Sequence, residues 1–459
     1  MKSFSELAYR NVSDFIYGKA IYPLTCRNGM VIGGGLVYPE INFTLPPMNL
    51  DETTYPEVKK QYTQMITGVC ERAVALAAPG IVVEIELLPP MTIRPEWGIE
   101  ITKIVKDVMS DYEAKHGLKS LLRITPNDTR EMQRPPIQRS GVYLENMLTT
   151  FEECAKLGAD FLAIESTGGK EICDEALLTG DIATVIYALG VLGTRDMQFL
   201  WRHIVAIAEK HHCFAAGDTA CGFGNTAMVL AEQGFIPKVF AAAVRIATVG
   251  RSLAAYEMGA VGPSKDCAYE GPYMKAIAGV PIAMEGKSSA CAHLSPLGNI
   301  AGAVCDLWSN ESVQNIKLLG GMAPTVSMEQ LIYDIRLMNQ ASKEGPAAAL
   351  QLRDWLVASD SAFDPQAYVL RPDFVFEISK VIVAEPDPYL RTKKSVYQAL
   401  LMLKQAAADG KLTLNKREEP YLNRLIDRVG ELPDTAAELW EQIQDAVDPK
   451  KFLPGEYGL

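Results

Sequence analysis

The chain has 459 residues, 48% of them hydrophobic, enough for one large domain with extensions or for two domains. Its formal net charge of -12, with no long Lys/Arg cluster to reverse it locally, argues against nucleic-acid binding by phosphate neutralisation. The opening MKSFSELAYRNVSDF lacks the apolar core of a secretory signal, and no run approaches the roughly 18 uninterrupted apolar residues of a membrane span. A cytoplasmic protein without a membrane segment is expected.

Residues 1–54 are rich in turn formers, including Gly33, Gly34 and Gly35 and the pair Pro46 and Pro47. The triple glycine lacks the lysine and Ser/Thr of a phosphate loop and the spacing of a dinucleotide fingerprint, so it reads as a structural turn in an N-terminal arm. From Tyr55 the pattern alternates. A helix over Tyr55 to Ala78 leads to the apolar run IVVEIELLPP. A helix over Gly98 to His116 leads to SLLRITPND, and a helix over Val142 to Leu157 leads to GADFLAIESTGGKE. Helices over Gly180 to Lys210 precede HCFAAGDTACGFGNT, and the same form recurs at GAVGPSKDCAYEG and VPIAMEGKSSACAHL.

Short β-rich runs separated by amphipathic helices are the signature of βα units around a parallel sheet. A doubly wound open sheet and a closed (β/α)8 TIM barrel share it. Polar residues, thiols and carboxylates end several of the runs, and a barrel brings many strand ends to one point, so the barrel is favoured over residues 55–340. Residues 341–459 carry no comparable strand run; SVYQALLMLKQAAADG and YLNRLIDRVGEL read as amphipathic helices of a C-terminal extension.

Glu165 follows FLAI, Cys221 follows AAGDTA and Cys267 follows GAVGPSKD, each where a strand hands over to a loop. Singly, each has an ordinary reading: a cysteine packs as a small buried hydrophobe, and a strand-end carboxylate caps the next helix. Jointly they form an S2O donor set. Zinc accepts these donors and, with a fourth position open, leaves room for water or substrate. The nine cysteines are scattered over the whole chain, unlike a compact disulfide framework or the paired CxxC spacing of a zinc finger.

The segments IESTGGKE, GDTACGFGNT and VGPSKDCAYEGPYMKAIAG, in this order and spacing, resemble the zinc-containing subunits of methanol:corrinoid methyltransferases, over essentially the whole chain. The resemblance implies a (β/α)8 barrel with N- and C-terminal additions and a Zn2+ ion held by Glu165, Cys221 and Cys267. It further implies methanol as substrate, methyl transfer to a cobalt(I) corrinoid carried by a corrinoid-binding protein, and a homo-oligomer within a hetero-oligomeric complex. Such an assembly needs a broad barrel mouth.

Hydroxide leaves carbon badly, so an acid that shares a proton with the leaving oxygen is expected near the metal. Asp218 and Asp266 lie nearest the cysteines in sequence, each with a second reading as an anchor for a ligand or a helix cap. Cys26, Cys70, Cys154 and Cys305 read as packing residues, Cys213 begins a strand and belongs to the opposite rim, and Cys173 is less defined. Cys291 and His293, in CAH, form a competing pair of metal ligands. Ligation by that pair favours a zinc-activated thiol methyltransferase, since such sites combine histidine with cysteine. A metal-dependent hydrolase needs more strand-end histidines than a chain with five in all provides. A non-catalytic scaffold for a corrinoid protein is the remaining alternative.

Overall fold

A computed structural model describes residues 1–44, 49–314 and 316–459; Pro46 and Pro47 lie outside them. The chain opens with an antiparallel hairpin, β1 (Lys19–Thr25) and β2 (Val31–Gly34). Then follow β3 (Tyr38–Thr44), β4 (Ile81–Glu86), β5 (Ser120–Thr125), β6 (Phe161–Ile164), β7 (Phe214–Asp218), β8 (Ala283–Glu285) and β9 (Leu307–Val313). These seven make one parallel sheet in the order β7-β6-β5-β4-β3-β9-β8. The gap between β7 and β8 is spanned by residues 260–264, whose Val261 and Gly262 amides donate to the Ala215 and Ala216 carbonyls at 2.8 Å each. Pro263 has no N–H to offer a ladder, so this position is extended chain rather than strand. The expected TIM barrel is the observed fold, with one of its eight staves irregular.

Two boundaries of the sequence reading change. Residues 1–54 are not an arm alone, because β3 is a central strand paired with both β4 and β9. Its sequence YPEINFT places Glu40 and Asn42 between apolar residues, a pattern that masks a strand lying against a polar barrel interior. β9, LWSNESV, is disguised in the same way. The boundary at 340 falls inside the helix Ala323–Glu344, which packs on β3 and β9 and belongs to the barrel. Beyond it the helices Pro346–Asp360, Pro372–Ala384, Pro388–Ala408, Glu418–Gly430 and Ala436–Ile443 form the helical C-terminal part.

The period-2 alternation of the strands sorts the interior into layers. Tyr38, Val82, Leu121, Phe161, Ala216, Ala283 and Leu307 pack together at the N-terminal end, closed from below by Cys26, Met30 and Ile32 around the hairpin. Gly33 in that hairpin has φ +79°, and a Cβ on it would meet Ala20 at 2.6 Å, which explains a glycine there without any phosphate. One step up each strand the interior turns ionic: Arg123 Nε donates to Glu40 Oε1 at 2.7 Å, and Thr125 Oγ1 donates to Glu84 Oε1 at 2.6 Å. The long apolar helix Lys238–Met258 has the length and hydropathy of a membrane span, but its apolar window is wholly buried in the protein, where it is a core helix.

Arg123, Glu40 and Glu84 have side chains with no exposure, so removing one partner strands a buried charge. Arg123→Met is expected to destabilise the fold by about 3–5 kcal/mol, seen as a lower denaturant midpoint. A wild-type midpoint would show that the cluster is not holding the barrel interior.

Candidate metal centre

At the C-terminal ends of the strands, a third interior layer meets the loops, where barrel chemistry is ordinarily built. Glu165 directly follows β6, Cys221 is the first residue of the helix Cys221–Glu232, and Cys267 follows the irregular stave. Their ligand atoms all lie within 4.8 Å of one another, and Cys267 Sγ is 3.3 Å from Glu165 Oε1. The structure therefore brings the three sequence-predicted donors together. Glu165 and Cys221 are half-buried and Cys267 is buried, so the cluster opens to one side.

Each donor is held from behind. The Glu165 loop is clamped residue by residue: Arg251 Nη2 donates to the Ser166 carbonyl at 2.7 Å, and Asp128 accepts from the Thr167 amide at 2.9 Å. The Gly169 amide donates to Tyr457 Oη at 3.0 Å. Asp128 is itself fixed by Arg130, which also pairs with Asp196 at 2.7 Å. Gly168 lies so close to Asp196 that a side chain would collide with it, and Gly169 has φ +82°, so the glycines in ESTGG are demanded by the clamp. Cys221 gains the favourable end of a helix for a thiolate, its amide donates to Thr219 Oγ1 at 3.1 Å, and Asn225 Nδ2 reaches its sulfur at 3.4 Å.

Asp218 and Asp266 are placed differently. Asp218 lies in the helix layer outside the sheet, accepting from Arg251 Nη2 and from Trp201 Nε1 at 3.1 Å each, and from the Ser166 amide at 3.4 Å. Burial pushes its carboxyl upward, and Arg251 and the two N–H donors pull against that. Asp266 lies inside the barrel beside Cys267, accepting from the Cys267 amide at 2.8 Å and from Asn42 and Ser309 at 3.3 Å each. Burial opposes its charge, but Lys265 beside it holds the carboxyl below the usual range.

The sequence reading missed Lys265. Its ammonium is 2.9 Å from Glu165 Oε1, 2.8 Å from Asp266 Oδ1, 3.6 Å from Glu86 Oε1 and 3.7 Å from Glu84 Oε1, and also touches Cys267 Sγ at 3.6 Å. Burial works against this charge, and the surrounding acids hold it protonated well above its ordinary range. Also missed were Glu86, Glu285 and Glu311, at the ends of β4, β8 and β9. Burial pushes Glu86 and Glu311 up to about 7 each, helped by repulsion among the mouth carboxylates. The signal was present: carboxylates at alternate positions of otherwise apolar strands, as in IVVEIE, face a barrel interior.

The competing pair separates. Cys291 is exposed on the helix Lys287–Ala292, whereas His293 lies between Glu285 and Glu311, so the two do not chelate together. Cys26, Cys70, Cys154, Cys173 and Cys305 are buried, and Cys213 sits just before β7, at the opposite rim.

The donor set suits zinc. A contact with Cys267 pulls the Cys221 thiol down, yet burial and the Glu165 charge outweigh it and push it up to about 11. Burial raises the Cys267 thiol well above its ordinary range too. Buried acids so placed need a strong local cation to ionise together, and a divalent ion with soft-ligand affinity would supply it.

The model of the methanol-cobalamin methyltransferase B subunit family matches residues 1–458. The chain is 37% identical to a methanol–corrinoid protein co-methyltransferase of Methanosarcina barkeri, covering 100% of this chain and 99% of that one. It superposes on the crystal structure of the methanol:cobalamin methyltransferase complex MtaBC from Methanosarcina barkeri with a TM-score of 0.94 and 36% identity, each chain covered completely. On the family match, the full-length identity and the shared fold, this chain belongs to the methanol-cobalamin methyltransferase B subunit family.

Proposed function

We propose that the chain holds zinc through Glu165, Cys221 and Cys267 and activates methanol for methyl transfer to the cobalt(I) of a corrinoid carried by a partner protein. The convergence of these donors within 4.8 Å at the catalytic rim is the observation that carries the reading. The relatives' names, one of them a corrinoid-protein methyltransferase and one a complex, support the partner. Copies of this chain assembled with the corrinoid protein complete the proposed complex.

Bound there, zinc supplies Lewis acidity to the methanol oxygen as the C–O bond weakens. Two thiolates and a carboxylate overcompensate a divalent ion, and Lys265 beside Glu165 offsets part of that excess. The clamp on the Glu165 loop holds the donors in one geometry, so little reorganisation is needed when substrate arrives. Methanol offers little binding energy of its own, and closure of the corrinoid protein over the mouth would exclude water and align the reacting atoms. With their oxygens already engaged, Asp218 and Asp266 serve as anchors in this reading, and neither is the acid. An S2O set without histidine favours an alcohol donor over the thiol-activating alternative, and the convergence of three metal-type donors at the rim supports catalysis over the scaffold.

Purified chain is expected to carry about one zinc. Cys221→Ala and Cys267→Ala should lose it together with methanol-dependent methylation of reduced cobalamin, by metal analysis and absorbance; a metal-free chain with full activity would overturn the reading. Asp218→Asn should lower zinc affinity or turnover about 10–100-fold without changing the shape of the pH profile. Disappearance of one limb of that profile would instead make Asp218 the acid.

A further inference from the structure

The barrel mouth holds a second cluster that the zinc reading does not use. His293, just past the helix Lys287–Ala292, places Nδ1 3.3 Å from Glu285 Oε1 and Nε2 3.4 Å from Glu311 Oε2. The two carboxylates face opposite ring nitrogens, the arrangement of a bridged imidazole, and one ring nitrogen and one oxygen of each carboxylate also lie within 4.8 Å of one another. Glu285 is fully enclosed and fixed by Tyr269, whose hydroxyl donates to its Oε2 at 2.5 Å. His293 and Glu311 keep side-chain exposures of 35% and 29%, so one end of the cluster is anchored in the core and the other reaches the mouth.

Register ties this cluster to the metal centre. Glu311 pairs with Asn42 across β9 and β3, and Asn42 Nδ2 donates to Asp266 Oδ2 at 3.3 Å and to Glu86 Oε2 at 3.4 Å. Glu285 pairs with Ser309, which donates to Asp266. The two clusters therefore share a layer of the barrel.

We propose that His293 and Glu311 form a proton relay to the oxygen released from methanol, with Glu285, fixed by Tyr269, as the anchor that orients the imidazole. This rests on the proposed methyl transfer. As the C–O bond breaks, its electron pair stays on oxygen, and the methyl carbon takes up the electron pair of cobalt(I). The oxygen accepts the Glu311 carboxyl proton and departs as water. Glu311 regains a proton from the His293 imidazolium, and His293 is reprotonated from solvent through its exposed edge. Overall, methanol, cobalt(I) and one proton give methyl–cobalt(III) and water.

The charged groups around the relay fit this use. The polar contact with Glu285 raises His293 to about 9 despite burial, and the charges of Glu285, Glu311 and Asp266 act in the same direction. Burial raises Glu311 to about 7, and repulsion from Glu86 and Asp266 adds to it, while Lys265 and His293 pull it back. The imidazolium is thus present below about pH 9 and lost above it.

The test uses the zinc-loaded full chain with methanol and reduced cobalamin. His293→Gln and Glu311→Gln should each lower kcat about 100-fold with KM and zinc content unchanged, and His293→Gln should abolish the alkaline limb near pH 9. Independently of turnover, 13C NMR of the five histidines should show one titrating near pH 9 and moving down in Glu285→Gln. Wild-type rates and pH profiles in both variants would overturn the relay, as would a His293 midpoint at the ordinary 6.5. A second metal ion per chain, lost in Glu285→Gln, would make the cluster a cation site and overturn it too. An inactive wild-type chain that still binds zinc would instead overturn the methyl-transfer reading.

Discussion

The barrel mouth depends on the buried ammonium of Lys265. Around it stand Glu84, Glu86, Glu165 and Asp266 and the Cys267 sulfur, all within 3.7 Å. Carboxylates buried so close together repel one another and lose their hydration, each costing several kcal/mol unless paired. Lys265 offsets part of this for the interior members, and the residual negative potential falls on the donors that face the opening. That imbalance suits the proposed divalent cation. A fully compensated mouth would have no such demand.

The same logic runs through the layers beneath. The strands' alternation stacks an apolar plug, an ionic layer around Arg123 and the acid-rich mouth, so the charges rise towards the rim in graded steps. The irregular stave between β7 and β8 is part of the design: by leaving strand geometry at Pro263, the chain can turn Lys265, Asp266 and Cys267 into the interior in succession. Opposite it, the Arg251–Asp218 and Arg130–Asp128–Asp196 networks fix the Glu165 loop from the helix layer. One donor is thus set by a break in the sheet, one by a rigid loop and one by a helix terminus.

Much of this was legible in the sequence. Apolar runs such as FLAI and FAAG gave their strands directly, and the position of Glu165, Cys221 and Cys267 just beyond such runs marked one rim. β3 and β9 stayed hidden because their inward residues, Glu40, Asn42, Ser309 and Glu311, are polar, and alternation looks like a loop when the buried face is not apolar. Lys265 was passed over because a lysine is ordinarily exposed, and only the three-dimensional crowding of acids explains its burial. Asp218 drew attention through its closeness to Cys221 in sequence, but a bulge in β7 between Ala215 and Gly217 pairs it with Ile164 and turns it to the other face of the sheet. His293 was noticed for its neighbour Cys291, whereas its partners come from β8 and β9, which only the sheet order brings together.

The central claim is that zinc is held by Glu165, Cys221 and Cys267. X-ray absorption at the zinc edge of the purified chain tests it most directly. The expected spectrum has two sulfur scatterers at about 2.3 Å and oxygen at about 2.0–2.2 Å, with one sulfur lost in Cys221→Ser. Imidazole scattering, or a first shell unaltered by that substitution, would contradict it.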